Sequence, residues 1–480
     1  MKCSLHGAAA APIDAARRRW LRRSSTALAA SLGAGSLANL LLGTRVAHAA
    51  DYKALVCIFL NGGNDGMNMV LPTDDKRYGQ YAAVRAALAL PQSSLRPLSG
   101  SSYGLHPSLA SLQPLWDKRQ LVPVFNVGPL YAPLSKTEYL GQPAGSPMIP
   151  DSLFSHADQQ VLWESGNTDG LSRTGWGGRA CEAMATVNPV ISFGGNARFG
   201  AESLRMPLVL PGPGALFGAT GLPPAGTGWT PDLLRRQAVD AMYANHTGME
   251  LRDAHIDLQN GAFTTSERLG PLVASVPGDA LSSPVIDAAF APLMRNGVFV
   301  GPLAPQLYQA AKMIWSNSVV QGNRQMFFAS LGGFDTHLGQ LTRHAELMKE
   351  LGDSMAAFQT ALTNLGLASA VTTFTQSDFG RTFAPNLSGG TDHAWGNHHL
   401  VMGGALLGRK TYGVYPELAL GGSDDVGQES WELQGRWIPT SSVDQYAATL
   451  LRWFGSSESQ LDSVLPNLVN FGSKRTLGFL

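Results

Sequence analysis

Acidic and imidazole side chains gather in one short stretch of the chain, residues 372–399, TTFTQSDFGRTFAPNLSGGTDHAWGNHH. A run of Thr and Phe, which favours a β-strand, ends at Asp378, and His393 and His398 follow it. Three of the chain's 11 histidines fall within seven residues here. Carboxylate and imidazole groups together suit Zn²⁺, Mn²⁺ or a similar divalent ion. The stretch therefore predicts a cation site beside a strand end.

Two other strand-like runs end in the same way. ALVCIFL (54–60) leads into a Gly-rich turn that contains Asp65, and FFASL (327–331) is followed by Asp335 and His337. In open α/β sheets, ligands bind beyond the carboxyl ends of the strands, and converging carboxylates need a cation between them. An alternative for each Asp is a helix N-cap or an Asx-turn. The predicted metal ligands are Asp65, Asp335, His337, Asp378, His393 and His398.

Ser155 stands at a predicted helix start in SLFSHADQQ. Its hydroxyl lies where the free N–H groups of the first helical turn favour an anion, so Ser155 is a candidate nucleophile. The alternative is an ordinary Ser cap. No G-x-S-x-G surrounds it, which argues against the nucleophile elbow of α/β-hydrolases.

The elements that must position these groups alternate as strand, loop, helix and strand, the rhythm of a parallel sheet. The chain of 480 residues, 44% apolar and 15% charged, is long enough for a large core. We expect one domain over residues 50–480, with a helical insertion around 225–325. Lys and Arg equal Asp and Glu at 35 each, so the charge balance gives no sign of nucleic-acid binding.

The N-terminus has the features of an export signal. ARRRWLRR precedes a stretch of apolar and small residues and then an Ala47-x-Ala49 cleavage site. Arg17 and Arg18 resemble the twin-arginine motif. The alternative is a membrane anchor, but Gly, Ser and Asn interrupt the run and it is shorter than the roughly 20 residues of a span. We expect a signal peptide over 1–49, the twin-arginine export machinery as partner, and a periplasmic or secreted mature protein without a stable membrane span.

Six motifs in order give a family resemblance from about Ala54 to the C-terminus. They are FLNGGNDGMNMVLP, LHPSLASLQPLW, SHADQQVLWESG, TGWGGR, GGFDTH and SDFGRT…GGTDHAWGNHH. Together they resemble the bacterial exported family known as domain of unknown function 1501, which is similar in fold to the alkaline phosphatase and sulfatase superfamily. The resemblance implies a three-layer α/β fold, with a mostly parallel central sheet, helices on both faces and a metal site at the strand ends.

The resemblance also implies roles for particular residues. Asp65 would match the superfamily's first-strand Asp, although it lies four residues later than expected. Ser155 would match the nucleophile, and Asp378 the late strand-end Asp. Asp335 and His337 would match an Asp-x-x-x-His pair, here spaced Asp-x-His, and His393 or His398 the final His. Phe379 stands where the superfamily has a second ligand. The resemblance therefore leaves open whether the site holds one ion or two, and whether the metal is Zn, Mn, Mg or Ca.

Two functions are compatible with these residues. The first is an exported metal-dependent hydrolase of phosphate or related esters, acting on a small-molecule or polymer-linked substrate. In it Ser155 attacks and Arg381 neutralises developing negative charge. The second is a non-catalytic cell-envelope binding protein, in which the Asp and His cluster is structural. The number of acid and imidazole groups favours the first function, and Phe379 favours the second. Pairing of Cys57 with Cys181 also stays open.

Overall fold

The central strand of the sheet, Lys53–Asn61, forms because its seven interior residues are all apolar and all buried. The computed structural model describes residues 51–223, 226 and 228–480. The predicted signal peptide lies outside the described residues. The residues from Asp51 to Leu480 belong to one compact unit.

The elements are as follows, in chain order. The strands are β1 Lys53–Asn61, β2 Val70–Pro72, β3 Arg96–Pro97, β4 Tyr103–Leu105, β5 Leu121–Gly128, β6 Ile191–Ser192, β7 Leu208–Val209, β8 Met294–Arg295, β9 Val298–Phe299, β10 Arg324–Gly332, β11 Val371–Ser377, β12 Asn397–Gly403 and β13 Ser441–Ser442. The α-helices are α1 Gly66–Met69, α2 Asp75–Arg85, α3 Gln113–Asp117, α4 Lys136–Leu140, α5 His156–Ser165, α6 Trp176–Ala183, α7 Thr230–Met242, α8 Glu250–Ala274, α9 Pro284–Phe290, α10 Leu303–Trp315, α11 Asn317–Val320, α12 Gln340–Asn364, α13 Val443–Phe454 and α14 Glu458–Val464.

The predicted α/β class is confirmed by an eight-stranded sheet, in the order β13-β5-β12-β11-β1-β10-β6-β7. Strand β1 runs parallel to both β10 and β11. The sheet is mixed, because β12 is antiparallel to both of its neighbours, β11 and β5. The chain returns from β11 to β12 through a loop without a crossover helix, and such a connection makes neighbouring strands antiparallel.

Helices cover both faces of this sheet. The even-numbered residues of β1 pack into one apolar cluster with α10 and α12, and the odd-numbered residues pack into another with α6 and α13. This alternation follows from the two-residue period of a strand. The region around 225–325 contains helices α7 to α11 and the hairpin of β8 and β9.

Two sequence questions have direct answers in the described part of the chain. Cys57 and Cys181 are both buried and do not pair with each other. Among the described residues, no helix is both long and apolar enough to cross a membrane.

Candidate metal centre

Three strand ends meet at one edge of the sheet. In the register of the parallel pairs, Asn61 of β1 lies beside Gly332 of β10, and Leu60 beside Ser377 of β11. Because β12 is antiparallel to β11, its first residue, Asn397, comes to the same edge. The loops that follow β10 and β11 therefore emerge together, and they carry Asp335, His337, Asp378 and His393.

The carboxylate of Asp335 is the centre of a cluster of three imidazoles. Its Oδ1 lies 3.3 Å from Nε2 of His156, 3.0 Å from Nε2 of His337 and 3.4 Å from Nε2 of His393. The Nε2 atoms of His337 and His393 are 2.9 Å apart. Zinc bonds of about 2.0–2.2 Å in tetrahedral geometry place neighbouring ligand atoms roughly 3.3 Å apart. The ligand atoms of His156, Asp335 and His393 all lie within 4.8 Å of one another, so these three side chains could hold one small cation, with His337 next to them.

The other ring nitrogen of each imidazole is held by an oxygen. Nδ1 of His156 lies 2.7 Å from Oδ2 of Asp378, and Nδ1 of His337 lies 2.9 Å from Oδ1 of Asp392. Nδ1 of His393 lies 2.7 Å from the carbonyl oxygen of Phe154. Each of these oxygens can accept a hydrogen bond from an Nδ1–H group, and an imidazole in that tautomer offers the lone pair of Nε2 to a metal ion. Metal-binding histidines have the same outer contacts.

His156 has one ring nitrogen that no described residue hydrogen-bonds. Its Nε2 is buried and has no hydrogen-bond partner in the described chain. The 3.3 Å contact with Asp335 is within ion-pair range, but it does not have the geometry of a hydrogen bond. A lone pair buried in this way is compensated by a bound cation, and otherwise costs free energy.

The charges around the cluster set its proton affinities. Burial pushes the pKa of Asp335 upward, but the hydrogen bond and positive charge of Arg381 outweigh it and bring the pKa to about 2. The hydrogen bond with Asp378 raises the pKa of His156, and burial lowers the pKa of His393. Asp335 thus stays ionised. The Asp335 side chain is 46% exposed, so solvent reaches the cluster.

Arg381 lies behind Asp335 and its side chain has no exposed surface. Its Nε donates to the carbonyl of Gly63 at 2.8 Å, and Nη1 donates to that of Thr391 at 3.0 Å. Its Nη2 donates to Asp335 and to the carbonyl of Gly62 and, at 3.1 Å, to that of Phe334. The guanidinium therefore fixes Asp335 and the neighbouring loops, rather than facing a bound molecule.

Comparison with known families adds one finding to this geometry. Residues 232–428 match the family model described as Protein of unknown function (DUF1501). We refer to these residues as the DUF1501 segment. It is less than half of the chain, and it includes Asp335, His337, Asp378 and His393 but not His156. A comparison with curated proteins gives no match.

Two of the expected ligands lie elsewhere. Asp65 is completely buried, is the N-cap residue of α1, and forms an ion pair with Arg85 at 2.6 Å. His398, within β12, accepts a hydrogen bond at Nδ1 from the backbone N–H of Asn126 at 3.1 Å, and burial lowers its pKa to about 3. Neither residue contacts the Asp335 cluster. The chain turns before it reaches Asp65, and the side chain of His398 packs inside the sheet layer.

Two other sequence candidates are next to His156, Asp378 in space and Ser155 in sequence. Asp378 binds His156 from behind rather than joining Asp335 directly, and its Oδ1 accepts the backbone N–H of Gly62 at 3.0 Å. Ser155 is the N-cap residue of α5, directly before His156, and is partly buried. Ser155 thus has the position of the expected N-cap, but within the described chain its side chain makes no capping hydrogen bond.

Sequence reasoning missed His156 and Asp392. His156 is 222 residues from Asp378 in the chain, so no local spacing joins them. The sequence offered one indication for each residue, its position next to a predicted site residue. His156 follows Ser155, and Asp392 precedes His393. The sequence analysis assigned neither side chain a role.

A buried polar link connects Asp65 with the loops of the cluster. Gln340, the first residue of α12, donates from Nε2 to Asp65. Its Oε1 accepts from the hydroxyl of Thr336 at 3.2 Å and from that of Thr391 at 2.5 Å. Thr336 lies between Asp335 and His337, and Thr391 precedes Asp392. The Asp65 and Arg85 pair thereby supports the two loops that carry the cluster.

Proposed function

We propose that the protein is an exported, metal-dependent hydrolase of phosphate or related esters. His156, Asp335, His337 and His393 hold one divalent ion in it. The observation that carries the proposal is the convergence of three Nε2 atoms on Asp335, each imidazole being held at Nδ1 by an oxygen. Three nitrogen donors and one oxygen donor suit Zn²⁺ best among the expected ions.

The wider expectations belong to the same proposal. The fold is alkaline-phosphatase-like, with a single domain over residues 50–480 and a helical insertion around 225–325. Residues 1–49 are a twin-arginine signal, and the mature protein works in the periplasm or outside the cell. Asp335 is partly exposed and lies in a loop beyond the strand ends, where ligands of open α/β sheets bind. This position supports a binding site of the alkaline-phosphatase-like kind.

Ser155 is the proposed nucleophile. Its hydroxyl makes no capping bond in the described chain and lies one residue from His156. Its Oγ forms a bond to the phosphorus while the bond to the leaving alcohol breaks, and water then releases the phosphate from the serine. The Ser155 proton passes to solvent, and the leaving oxygen takes a proton from solvent. A bound divalent ion supplies Lewis-acid polarisation of the ester oxygens.

The arrangement of the cluster also supports a second function, that of a binding protein with a structural ion. With His337 as a fourth ligand, protein side chains would fill all four positions of a tetrahedral ion, and structural zinc sites are closed in this way. In that case the ion only ties the loop that contains Asp335 and His337 to the loop that contains His393 and to α5.

Metal analysis and turnover of the protein purified from the periplasm separate the two functions. We expect about one divalent ion per chain, hydrolysis of an aryl phosphate, loss of both on chelation, and recovery with added Zn²⁺. Asp335→Asn should abolish both. If the metal-loaded protein turns over no phosphate or sulfate ester, while chelation lowers its melting temperature, the binding protein is correct. If the protein contains no metal on purification and binds no added Zn²⁺, both the hydrolase and the binding protein with a structural ion are contradicted.

A further inference from the structure

Arg436 is a half-buried cation fixed beside His393. Its Nε donates to the carbonyl oxygen of His393 at 2.9 Å. Its guanidinium carbon lies 4.7 Å from the centroid of the Phe154 ring. Phe154 in turn accepts the Nδ1 bond of His393 through its carbonyl. Arg436, Phe154 and His393 thus form one contact group next to the Asp335 cluster, and the position of the guanidinium is set by two contacts.

The terminal nitrogens of Arg436 have no partner among the described residues. Within the part of the chain that the structure describes, Nη1 and Nη2 make neither a hydrogen bond nor an ion pair. The charges that act on Arg436 come from Asp392, Asp425 and Glu432, together with Tyr139. A guanidinium among three acids would ordinarily pair with one of them, so its free donors need an explanation.

Those three acids are engaged elsewhere. Asp392 accepts from His337 and Asn386. Glu432 accepts the backbone N–H groups of residues 428 and 429. Asp425 accepts four backbone N–H groups, those of residues 421, 427, 435 and 436. Arg436 therefore keeps donors available for a group from outside the chain.

Arg381 provides the contrast. All three of its guanidinium nitrogens are used within the protein, and its side chain is unexposed. The sequence suggested Arg381 as the group that meets negative charge on a substrate. Of these two arginines, Arg436 is the one with donors that no described residue uses. Two parallel N–H groups are the usual means of binding a tetrahedral or planar oxyanion.

The charge of the cluster also depends on what it binds. Around the imidazoles stand three carboxylates, Asp335, Asp378 and Asp392, and two arginines, Arg381 and Arg436. These groups sum to one negative charge, and a divalent ion changes the sum to one positive charge. The loaded centre then attracts an anion, and Arg436, bonded to the backbone of His393, has donors that no described residue uses.

We propose that Arg436 forms an anion subsite beside the metal centre, and that the substrate is an ester whose phosphoryl group carries its own negative charge. The inference rests on the proposed metal-dependent hydrolase. It narrows the substrate class to esters with a negatively charged phosphoryl group and excludes neutral carboxylic esters as good substrates. Arg436 hydrogen-bonds the phosphoryl oxygens that do not leave, so it binds and orients the substrate.

The test compares Arg436→Gln, Arg436→Lys and the control Arg452→Gln. Arg452 is a surface arginine paired with Glu458, so its loss removes one positive charge from the exterior. On an aryl phosphate we expect Arg436→Gln to raise KM about ten- to hundredfold, as for hydrogen bonds to charged groups. Arg436→Lys should recover part of the loss, and the control should match wild type. Turnover of an aryl acetate should be slow and unchanged by all three substitutions.

A binding measurement keeps this inference separate from the hydrolase itself. Zinc-loaded Ser155→Ala should bind inorganic phosphate in calorimetry, about ten- to hundredfold more tightly than Ser155→Ala with Arg436→Gln, and more weakly as salt rises. If wild type hydrolyses nothing but this difference persists, the hydrolase fails and the subsite stands. If Arg436→Gln or, where that variant does not fold, Arg436→Lys leaves phosphate affinity and KM at the wild-type values, the subsite is wrong. Absence of phosphate binding to the parent also overturns it.

Discussion

Asp378 holds His156 through a 2.7 Å contact between its Oδ2 and the Nδ1 of the imidazole. The same Oδ2 accepts a hydrogen bond from Nε2 of Gln160 at 3.0 Å, one helical turn after His156. A carboxylate in this position orients the ring and makes its other nitrogen a stronger donor to a metal. Asp378 therefore acts on the candidate centre through His156 and would not bind the metal ion directly.

Asp378→Asn should weaken zinc binding about ten- to hundredfold, the usual effect of losing a carboxylate behind a metal-binding histidine. Competition with a coloured chelator measures the affinity. Asp158→Asn is the matched control, because Asp158 is in the first turn of the same helix, α5. Equal affinities for the Asp378 variant and wild type would show that His156 needs no such support.

Ser155→Ala tests the nucleophile against the ordinary cap. Because the Ser155 side chain makes no capping bond within the described residues, its loss should change the free energy of unfolding by no more than about 0.5 kcal/mol. Turnover of an aryl phosphate should fall at least about a hundredfold while metal content stays the same. An activity close to wild type would remove Ser155 from the mechanism.

Short-range sequence patterns were enough to predict the strand ends and the four residues that lie in the loops after β10 and β11. These residues are Asp335, His337, Asp378 and His393. Apolar runs that stop at Asp indicated which loops meet, because parallel strands bring their carboxyl ends to one edge. The position of Asp65 was not predictable in this way. The chain turns sharply after β1 at Gly62 and Gly63, with φ of 112° and 80°. A Cβ on Gly62 would lie 2.4 Å from the backbone N of Asp335, so only glycine allows this approach.

The contribution of α5 was not predictable either. A helix start far away in the chain gives no spacing signal toward the strand-end loops, so His156 appeared only as a neighbour of Ser155. Side-chain direction decided the remaining cases. His398 is in a strand, where alternate residues face opposite sides, and its side chain points into the layer with Phe125 and Tyr415, at 5.0 Å and 4.8 Å between ring centroids.

Asp65→Asn should destabilise the fold strongly, because it leaves the guanidinium of Arg85 buried without its counter-ion. Removing one partner of a buried ion pair costs about 3–5 kcal/mol, which urea unfolding can measure. Asp353→Asn is the control, since Asp353 pairs on the surface with Lys349 and should change stability by less than about 1 kcal/mol. Similar losses in the two variants would contradict the structural role of Asp65.

The buried carboxyl of Asp444 makes stability depend on pH. It lies in the first turn of α13, accepts the backbone N–H of Asn467 at 3.1 Å, and burial raises its pKa to about 7. An acid whose pKa is raised by folding lowers stability as pH rises from the unfolded pKa, near 4, to the folded one. The loss is complete above about pH 7.

Asp444→Asn should remove this pH dependence. Relative to wild type, the variant should gain stability progressively between about pH 4 and pH 7, by up to about 4 kcal/mol. Urea unfolding of both proteins at pH 5 and pH 8 measures the difference, which should be larger at pH 8. The same difference at both values would show that Asp444 does not titrate in this range.

Export is tested at Arg17 and Arg18, which precede the described residues. Changing both to Lys keeps the charge but removes the pair that the twin-arginine route requires, so uncleaved precursor should accumulate in the cytoplasm. Changing Arg22 and Arg23 to Lys is the matched control, with the same number of substitutions and the same net charge, and should leave mature protein in the periplasm. This route carries folded cargo, so the exported protein should already contain its metal ion. Normal amounts of cleaved protein from the first variant would mean that another export route is used, and metal-free periplasmic protein would mean that loading follows export.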